Sequence, residues 1–267
     1  MSESINLNGW SNLDPIKIDY FEVCKLIAEN DVLFNSFKTN QAYTQILEHV
    51  DYNLGNEYLD IITKSYPTVL LTKIIGNIDL IKSNDLYGNP IKYNYPLFGD
   101  ISPTTLRYTK VLMDIMMQGF NLDGKHVIEI GGGYGGQCLI LSKFFNIKSY
   151  TILDLETANL LQKKYLSKHN INIIATTLDK IDSIECDFVM SNYAFSELRK
   201  TTQDEYLNKI IKNSVSGYFQ INPDASECYQ KQELIDIFYS INRGIFFEDR
   251  PMNNRYPNNF TYVFGGR

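Results

Sequence analysis

The sequence is short of positive charge: 25 lysines and arginines stand against 31 aspartates and glutamates, a formal net charge of −6 at pH 7. No global basic field remains to grip a phosphate backbone, so nucleic acid is not expected as a partner. Cysteine is scarce as well. The four cysteines, Cys24, Cys138, Cys186 and Cys228, are widely scattered, with no CxxC pair and no local histidine cluster. That spacing excludes a zinc ribbon or a disulfide framework and fits a reducing compartment. No apolar run approaches the roughly 20 residues needed to cross a bilayer. The opening stretch MSESINLNGWSNLDP has neither a basic n-region nor an apolar h-region. A cytoplasmic location without membrane insertion is the expectation.

What is present suits one large α/β domain with an attached smaller element: 267 residues, 44% of them hydrophobic and 21% charged. In the first hundred residues, YFEVCKLIAEN, QAYTQILEHV and NEYLDIITKSYPTVLLTKIIGNIDLI carry apolar residues at helical spacing. Residues 1–100 are therefore expected to form a helical cap or substrate element, and 101–267 the main domain. LYGNPIKYNYPLFGDISP, dense in Gly, Pro, Asn and aromatics, is expected to be an ordered loop. Asp100, Ser102 and Pro103 then mark the start of a helix that ends near Gly119.

From Lys125 onward, short apolar runs alternate with helical segments. The expected strands are HVIEI, SYTILDL, INIIATTL, DFVMSN and GYFQIN, with GQCLILSKFF, TANLLQKKYLSKH and DEYLNKIIKNS as helices among them. Such alternation predicts a parallel sheet covered on both faces. After QKQELIDIFYSI, the runs GIFFEDR and FTYVFGG leave no room for a crossover helix and must pair antiparallel.

The stretch VIEIGGGYGGQCLILSKFF reads as strand, glycine loop and helix. Glycines permit positive φ and a close approach of backbone to ligand. Gly131, Gly133 and Gly136 satisfy GxGxxG, the dinucleotide pattern, as well as Gly131, Gly133 and Gly135 satisfy GxGxG, the pattern for S-adenosylmethionine. Glu129 tilts the choice. A carboxylate at the end of an apolar strand is costly without a cationic or hydrogen-bonding partner, and the amino group of the methionine portion is a natural one. Beside a pyrophosphate the same charge would be badly placed. Asp154 lies about 20 residues beyond the loop, the spacing of an acidic ribose binder, which suits either cofactor.

EIGGGYGG, LDL and DFVMSNYAFSEL together resemble the motifs of class I S-adenosylmethionine-dependent methyltransferases, over residues 104 to 267. The resemblance implies a Rossmann-like α/β fold, a mostly parallel sheet with a terminal antiparallel hairpin. It places Glu129, Gly131, Gly133, Tyr134 and Gly135 at the methionine part of the cofactor, and Asp154 and Leu155 at ribose and adenine. Thr177, Leu178 or Asp179 is implied near the adenine amino group. SPTTLRY and SNYAFSEL look closest to the sugar O-methyltransferases of bacterial glycan and antibiotic-sugar clusters. That likeness puts Arg107 and Tyr108 over the cofactor, with Arg107 a candidate for its carboxylate. A sugar or nucleotide-sugar acceptor is implied, and a phosphoryl or phosphoramidate oxygen stays open. So do an NAD-dependent oxidoreductase and a module that kept the fold and lost turnover. A homodimer is compatible with the sequence.

Methylating a hydroxyl calls for a base or a metal. His126 and His169 fall at the amino ends of strands, away from the ligand side of such a sheet, and are expected to be structural. His49, in the helical cap, could reach over the crevice. Glu197 after the fourth strand and Asp224 after the fifth are the better-placed bases, if partial burial raises their pKa. Asn192 and Tyr193 should face the crevice as cofactor-binding residues, and Tyr193 could stack on a sugar ring or on adenine. Mg²⁺ held by carboxylates is compatible, but no tight ligand cluster demands it, so no metal is expected.

Overall fold

The computed structural model describes residues 20–44, 47–182, 184–223, 227–241, 244–251 and 258–265. The helices before the sheet are α1 (Tyr20–Glu29), α2 (Asp31–Phe34), α3 (Gln41–Thr44), α4 (Tyr52–Lys64), α5 (Thr68–Ile75) and α6 (Ile78–Lys82). A small hairpin, β1 (Tyr93–Tyr95) and β2 (Gly99–Ile101), leads into α7 (Pro103–Met117). Then follow β3 (His126–Ile130), α8 (Gly136–Phe144), β4 (Ser149–Leu153), α9 (Glu156–Ser167), β5 (Ile174–Thr176), β6 (Cys186–Asn192), α10 (Lys200–Lys209), β7 (Ser214–Ile221), α11 (Lys231–Ile241), β8 (Gly244–Glu248) and β9 (Phe260–Phe264).

Seven strands form one sheet in the order β5-β4-β3-β6-β7-β9-β8. The first five are mutually parallel, and β9 runs antiparallel to both β7 and β8. This is the Rossmann-like sheet with a terminal antiparallel hairpin expected from the strand pattern, with β9 inserted between β7 and β8. Side chains alternate between two apolar layers. Val127, Ile152, Phe188 and Tyr218 pack with α1, α4, α7, α8 and α9. Ile128, Ile130, Leu153, Val189 and Phe219 pack with α10 and α11. The N-terminal helices therefore share a core with one face of the sheet.

Local chemistry explains the element ends. Ser102 caps α7 by accepting from the Thr105 amide at 3.2 Å, and Pro103 occupies the first turn, where its missing N–H is harmless. Four features differ from the sequence pattern. Within 41–50 the described residues are helical over Gln41–Thr44 and not over 47–50. Asp51 caps α4 from an extended backbone, its carboxylate accepting from Leu54 at 2.9 Å, so a helix cannot run through it. The Gly/Pro/Asn-rich stretch contains the β1–β2 hairpin, turned by Leu97 and Gly99 at positive φ. Asp154 follows β4 rather than ending it, and β5 spans only three residues. All four cysteines are buried thiols. Among the described residues no helix is long and apolar enough to cross a membrane.

Candidate functional site

The chain switches direction in the sheet between β3 and β6: β4 and β5 lie to one side, β7 onward to the other. A crevice opens there beyond the carboxyl ends of the strands, the place where open α/β sheets take their ligands. The sequence delivers the glycine loop to one wall of it and the SNYAFSEL loop to the other.

The glycine loop leaves β3 at Gly131 and enters α8 through Gly135. Gly131, Gly133 and Gly135 all have positive φ (73°, 56° and 95°), the left-handed region that favours glycine. At Gly131 space is refused as well: a Cβ there would overlap the methyl of Ala194. The two walls touch at that point. Gly131→Ala is therefore expected to cost about 2–4 kcal/mol, combining strained backbone with displacement of the opposite loop. Urea unfolding checks the value, and a loss below about 0.5 kcal/mol would show that the walls are not locked together.

Glu129 lies one residue before the end of β3 and is 1% exposed. Its Oε2 accepts from the Tyr150 hydroxyl at 2.8 Å. Burial pushes its pKa up to about 8, against the Tyr150 bond, with the Asp154 charge adding to the rise. A carboxyl so desolvated is an acceptor for an ammonium group. Asp154 is braced from two sides: Leu155 N–H donates at 2.8 Å and Gln162 Nε2 at 2.8 Å. The same Gln162 nitrogen reaches the Gly133 carbonyl at 3.0 Å, so one side chain fixes the acidic turn relative to the glycine loop. Burial raises Asp154 to about 6, with the Leu155, Gln162, Gly132 and Gly133 hydrogen bonds pulling down. The sequence pattern did not single out Gln162 or Tyr150, because their value is spatial, one helix turn or one strand away from the motif.

The other candidates fall as follows. Leu155 is half-exposed beside Asp154. Thr177 and Leu178 begin the short turn after β5, and Asp179 is exposed within it. Tyr134 turns its side chain away into a buried ring cluster with Phe37, Tyr108 and Tyr165. Its hydroxyl accepts from Asn84 at 3.0 Å, and the Lys38 ammonium sits 4.2 Å over its ring. Tyr134 thus ties the loop to the N-terminal helices, leaving its backbone on the crevice side. Asn192 ends β6 with Oδ1 buried and without a partner among the described residues. Tyr193 follows at φ 69°, ψ −36°, a strained conformation for a residue with a side chain.

The N-terminal helices contribute a roof. Leu47 lies directly over Gly133, within 3.2 Å of where a Cβ would stand. Arg107 on α7 is half-buried, its guanidinium stacked 5.2 Å from the Tyr108 ring and reaching the Leu47 carbonyl at 3.5 Å. Burial raises the Glu48 carboxyl, opposed by Lys38, Thr104 and Arg107. His49 is exposed. Glu197 is exposed at the rim, its pKa raised by partial burial against a hydrogen bond with Asn222. Asp224 lies outside the described residues. His126 and His169 are at the expected far ends: His126 pairs with Ser149 Oγ at 2.6 Å, and His169 packs against Tyr87 and Tyr165. Among the described residues no group of three His, Cys, Asp or Glu is arranged to hold a metal ion.

A buried polar network, which no sequence motif announced, lies under the β7 side of the crevice. Asp249, just after β8 and 2% exposed, accepts from the Tyr193 hydroxyl on Oδ2. Its Oδ1 accepts from Lys110 Nζ (3.1 Å), Gln220 Nε2 (2.9 Å) and Thr261 Oγ1 (3.2 Å). Lys110 also pairs with Asp114 at 2.8 Å, and Asp114 accepts from Tyr66 and Tyr218 at 2.6 Å each.

No protein-family model matches the chain, and no curated protein matches it by sequence. Solved structures with a similar backbone do exist. An S-adenosylmethionine-dependent methyltransferase from Aquifex aeolicus is 21% identical, over 59% of this chain and 88% of that one, with a TM-score of 0.44. An S-adenosylmethionine-dependent methyltransferase from Clostridium acetobutylicum is 9% identical, over 59% and 89%, with a TM-score of 0.45.

Proposed function

We propose that the chain is an S-adenosylmethionine-dependent methyltransferase acting on a sugar hydroxyl, in a nucleotide-sugar or a surface-glycan precursor. The observation that carries the donor is the desolvated Glu129 carboxyl at the foot of a glycine loop, at the point where the sheet reverses. A pyrophosphate offers this carboxyl no cation, whereas the α-amino group of a methionine moiety would pair with it and hold it ionised. Asp154, held by Gln162 and the Leu155 amide, would take the ribose hydroxyls, and Leu155 would cover the adenine. Arg107, held between the Leu47 carbonyl and Tyr108, would meet the carboxylate with its remaining donors. When bound, the cofactor supplies an electrophilic methyl on a sulfonium.

Residues 1–100 serve in this reading as the acceptor-side element, with Leu47 as a contact to the crevice. Support for a sugar comes from the SNYAFSEL loop, the exposed carboxylate Glu197 at the rim, and the acidic surface. Tyr193 offers a ring on which a pyranose can stack.

The donor is tested by thermal unfolding. S-adenosylhomocysteine at a hundred times its Kd is expected to add about 2.7 kcal/mol to stability, and NADH nothing measurable. Stabilisation by NADH alone would make the chain an oxidoreductase. The acceptor is tested by mass spectrometry on a panel of nucleotide-sugars, where the absence of any methylated product counts against the sugar.

A further inference from the structure

Tyr193, Asp249, Lys110 and Asp114 form one continuous buried chain from the crevice to the middle of α7. Its ionic members carry one positive and two negative charges. Tyr66, Tyr218, Thr261 and Gln220 face them as neutral donors, so the chain has one surplus negative charge. Tyr58 and Arg107, on α4 and α7, are the remaining titratable neighbours of Tyr193, and only Arg107 is cationic. The Arg107 guanidinium stands on the Tyr193 side of that charge, and a cluster of buried ionisable groups beside a crevice marks a candidate functional site. The crevice end is also where the backbone is strained, at Tyr193, one residue before the Ala194 methyl that abuts the glycine loop.

We propose that Tyr193 and Asp249 are the proton acceptor of this site, Tyr193 touching the acceptor hydroxyl and Asp249 acting through it as a positioning residue and proton sink. The inference rests on the methyltransferase reading. The acceptor oxygen's electron pair forms the new C–O bond as the C–S bond breaks, sulfur keeping that bond's pair. The acceptor proton passes to Tyr193 Oη, and the Tyr193 proton passes to Asp249 Oδ2. Charge then balances at both ends of the step. With the donor bound, a sulfonium would offset the network's negative charge before transfer, and a neutral thioether would leave a protonated network after it. Concerted movement is required, because burial first and Asp249 second hold the Tyr193 hydroxyl well above the usual tyrosine range, so a free tyrosinate is not formed. Glu197 is exposed and hydrogen-bonds Asn222.

A test that needs no acceptor compares two ligands by titration calorimetry. Sinefungin carries an ammonium where the donor carries its sulfonium methyl, and S-adenosylhomocysteine carries a neutral thioether. Asp249→Asn removes the surplus charge and is expected to weaken sinefungin about tenfold more than S-adenosylhomocysteine. Tyr193→Phe keeps the charge and should leave that ratio within about threefold of wild type. Asp114→Asn neutralises the chain from its far end, and serves if Asp249→Asn does not fold. A merely structural Asp249 would weaken both ligands alike, and an unchanged ratio in the neutralised variants overturns the proposal. On an acceptor found in the nucleotide-sugar panel, Tyr193→Phe should lower kcat at least a hundredfold with the cofactor KM unchanged. Turnover at the wild-type rate overturns it equally. If S-adenosylhomocysteine does not bind wild-type protein, the donor reading itself has failed, an outcome distinct from an unchanged ratio.

Discussion

Lys110→Met should destabilise the protein by about 3–5 kcal/mol, measured as a drop in the urea midpoint at constant slope. Lys110 is 2% exposed and holds Asp114 at 2.8 Å and Asp249 at 3.1 Å. Burial alone would depress its pKa, but the two carboxylates outweigh that and raise it, so the ammonium is firmly charged. Methionine keeps the stem packed and removes only the charge, leaving two carboxylates in the interior with hydroxyl and amide donors alone. Against a total of roughly 5–15 kcal/mol for a domain, the loss is large. The double variant Lys110→Met with Asp249→Asn should recover at least about 1 kcal/mol, because one stranded charge goes with its partner. Strict additivity of the two losses would mean that the ion pair is not what holds this region.

Glu129→Gln should act on binding and stability in opposite directions. The amide keeps the shape and the Tyr150 contact but offers no charge to an ammonium. S-adenosylhomocysteine affinity is expected to fall about a hundredfold, close to 2.8 kcal/mol. The apo protein should gain stability at neutral and higher pH. The folded-state pKa of Glu129 is about 8 against an ordinary 4.5, so between those values folding takes up a proton and stability declines as pH rises. Below about pH 4.5 the carboxyl is neutral in both states and costs nothing. Above about pH 8 the full penalty is present, a few kcal/mol by the size of the displacement. Urea titrations of both proteins should therefore diverge from pH 5 to about 8 and run parallel above it, with the variant the more stable. Curves parallel throughout would show that Glu129 already has its counter-charge within the fold.

Much of the scaffold was legible in the sequence because it is written in local chemistry. The parallel order came from short β-rich runs separated by helices. The terminal antiparallel pair came from the lack of room between GIFFEDR and FTYVFGG, and the α7 start from Ser102 and Pro103. The glycine loop, Glu129 and Asp154 were visible because each lies within a few residues of a strand end, where chain direction alone fixes which side of the sheet it serves. The stretch 41–50 carries helical spacing, yet its residues 47–50 are not helical, and periodicity missed the short β1–β2 hairpin among turn residues.

What only the tertiary structure decided is which side chains meet. Tyr134 belongs to the glycine motif, yet its ring points into the cluster around Lys38, a contact set by packing of the N-terminal helices. Gln162 binds Asp154 and Gly133 at once because α9 lays that face across the loop. Asp249 sits in no motif; its partners come from residues 139 positions earlier in the chain, 56 earlier and 12 later. Sequence order fixes strand direction and backbone conformation, which are local. The charge balance of a buried network depends on distances across the core, and those exist only once the sheet has brought α7, β6, β7 and β9 together.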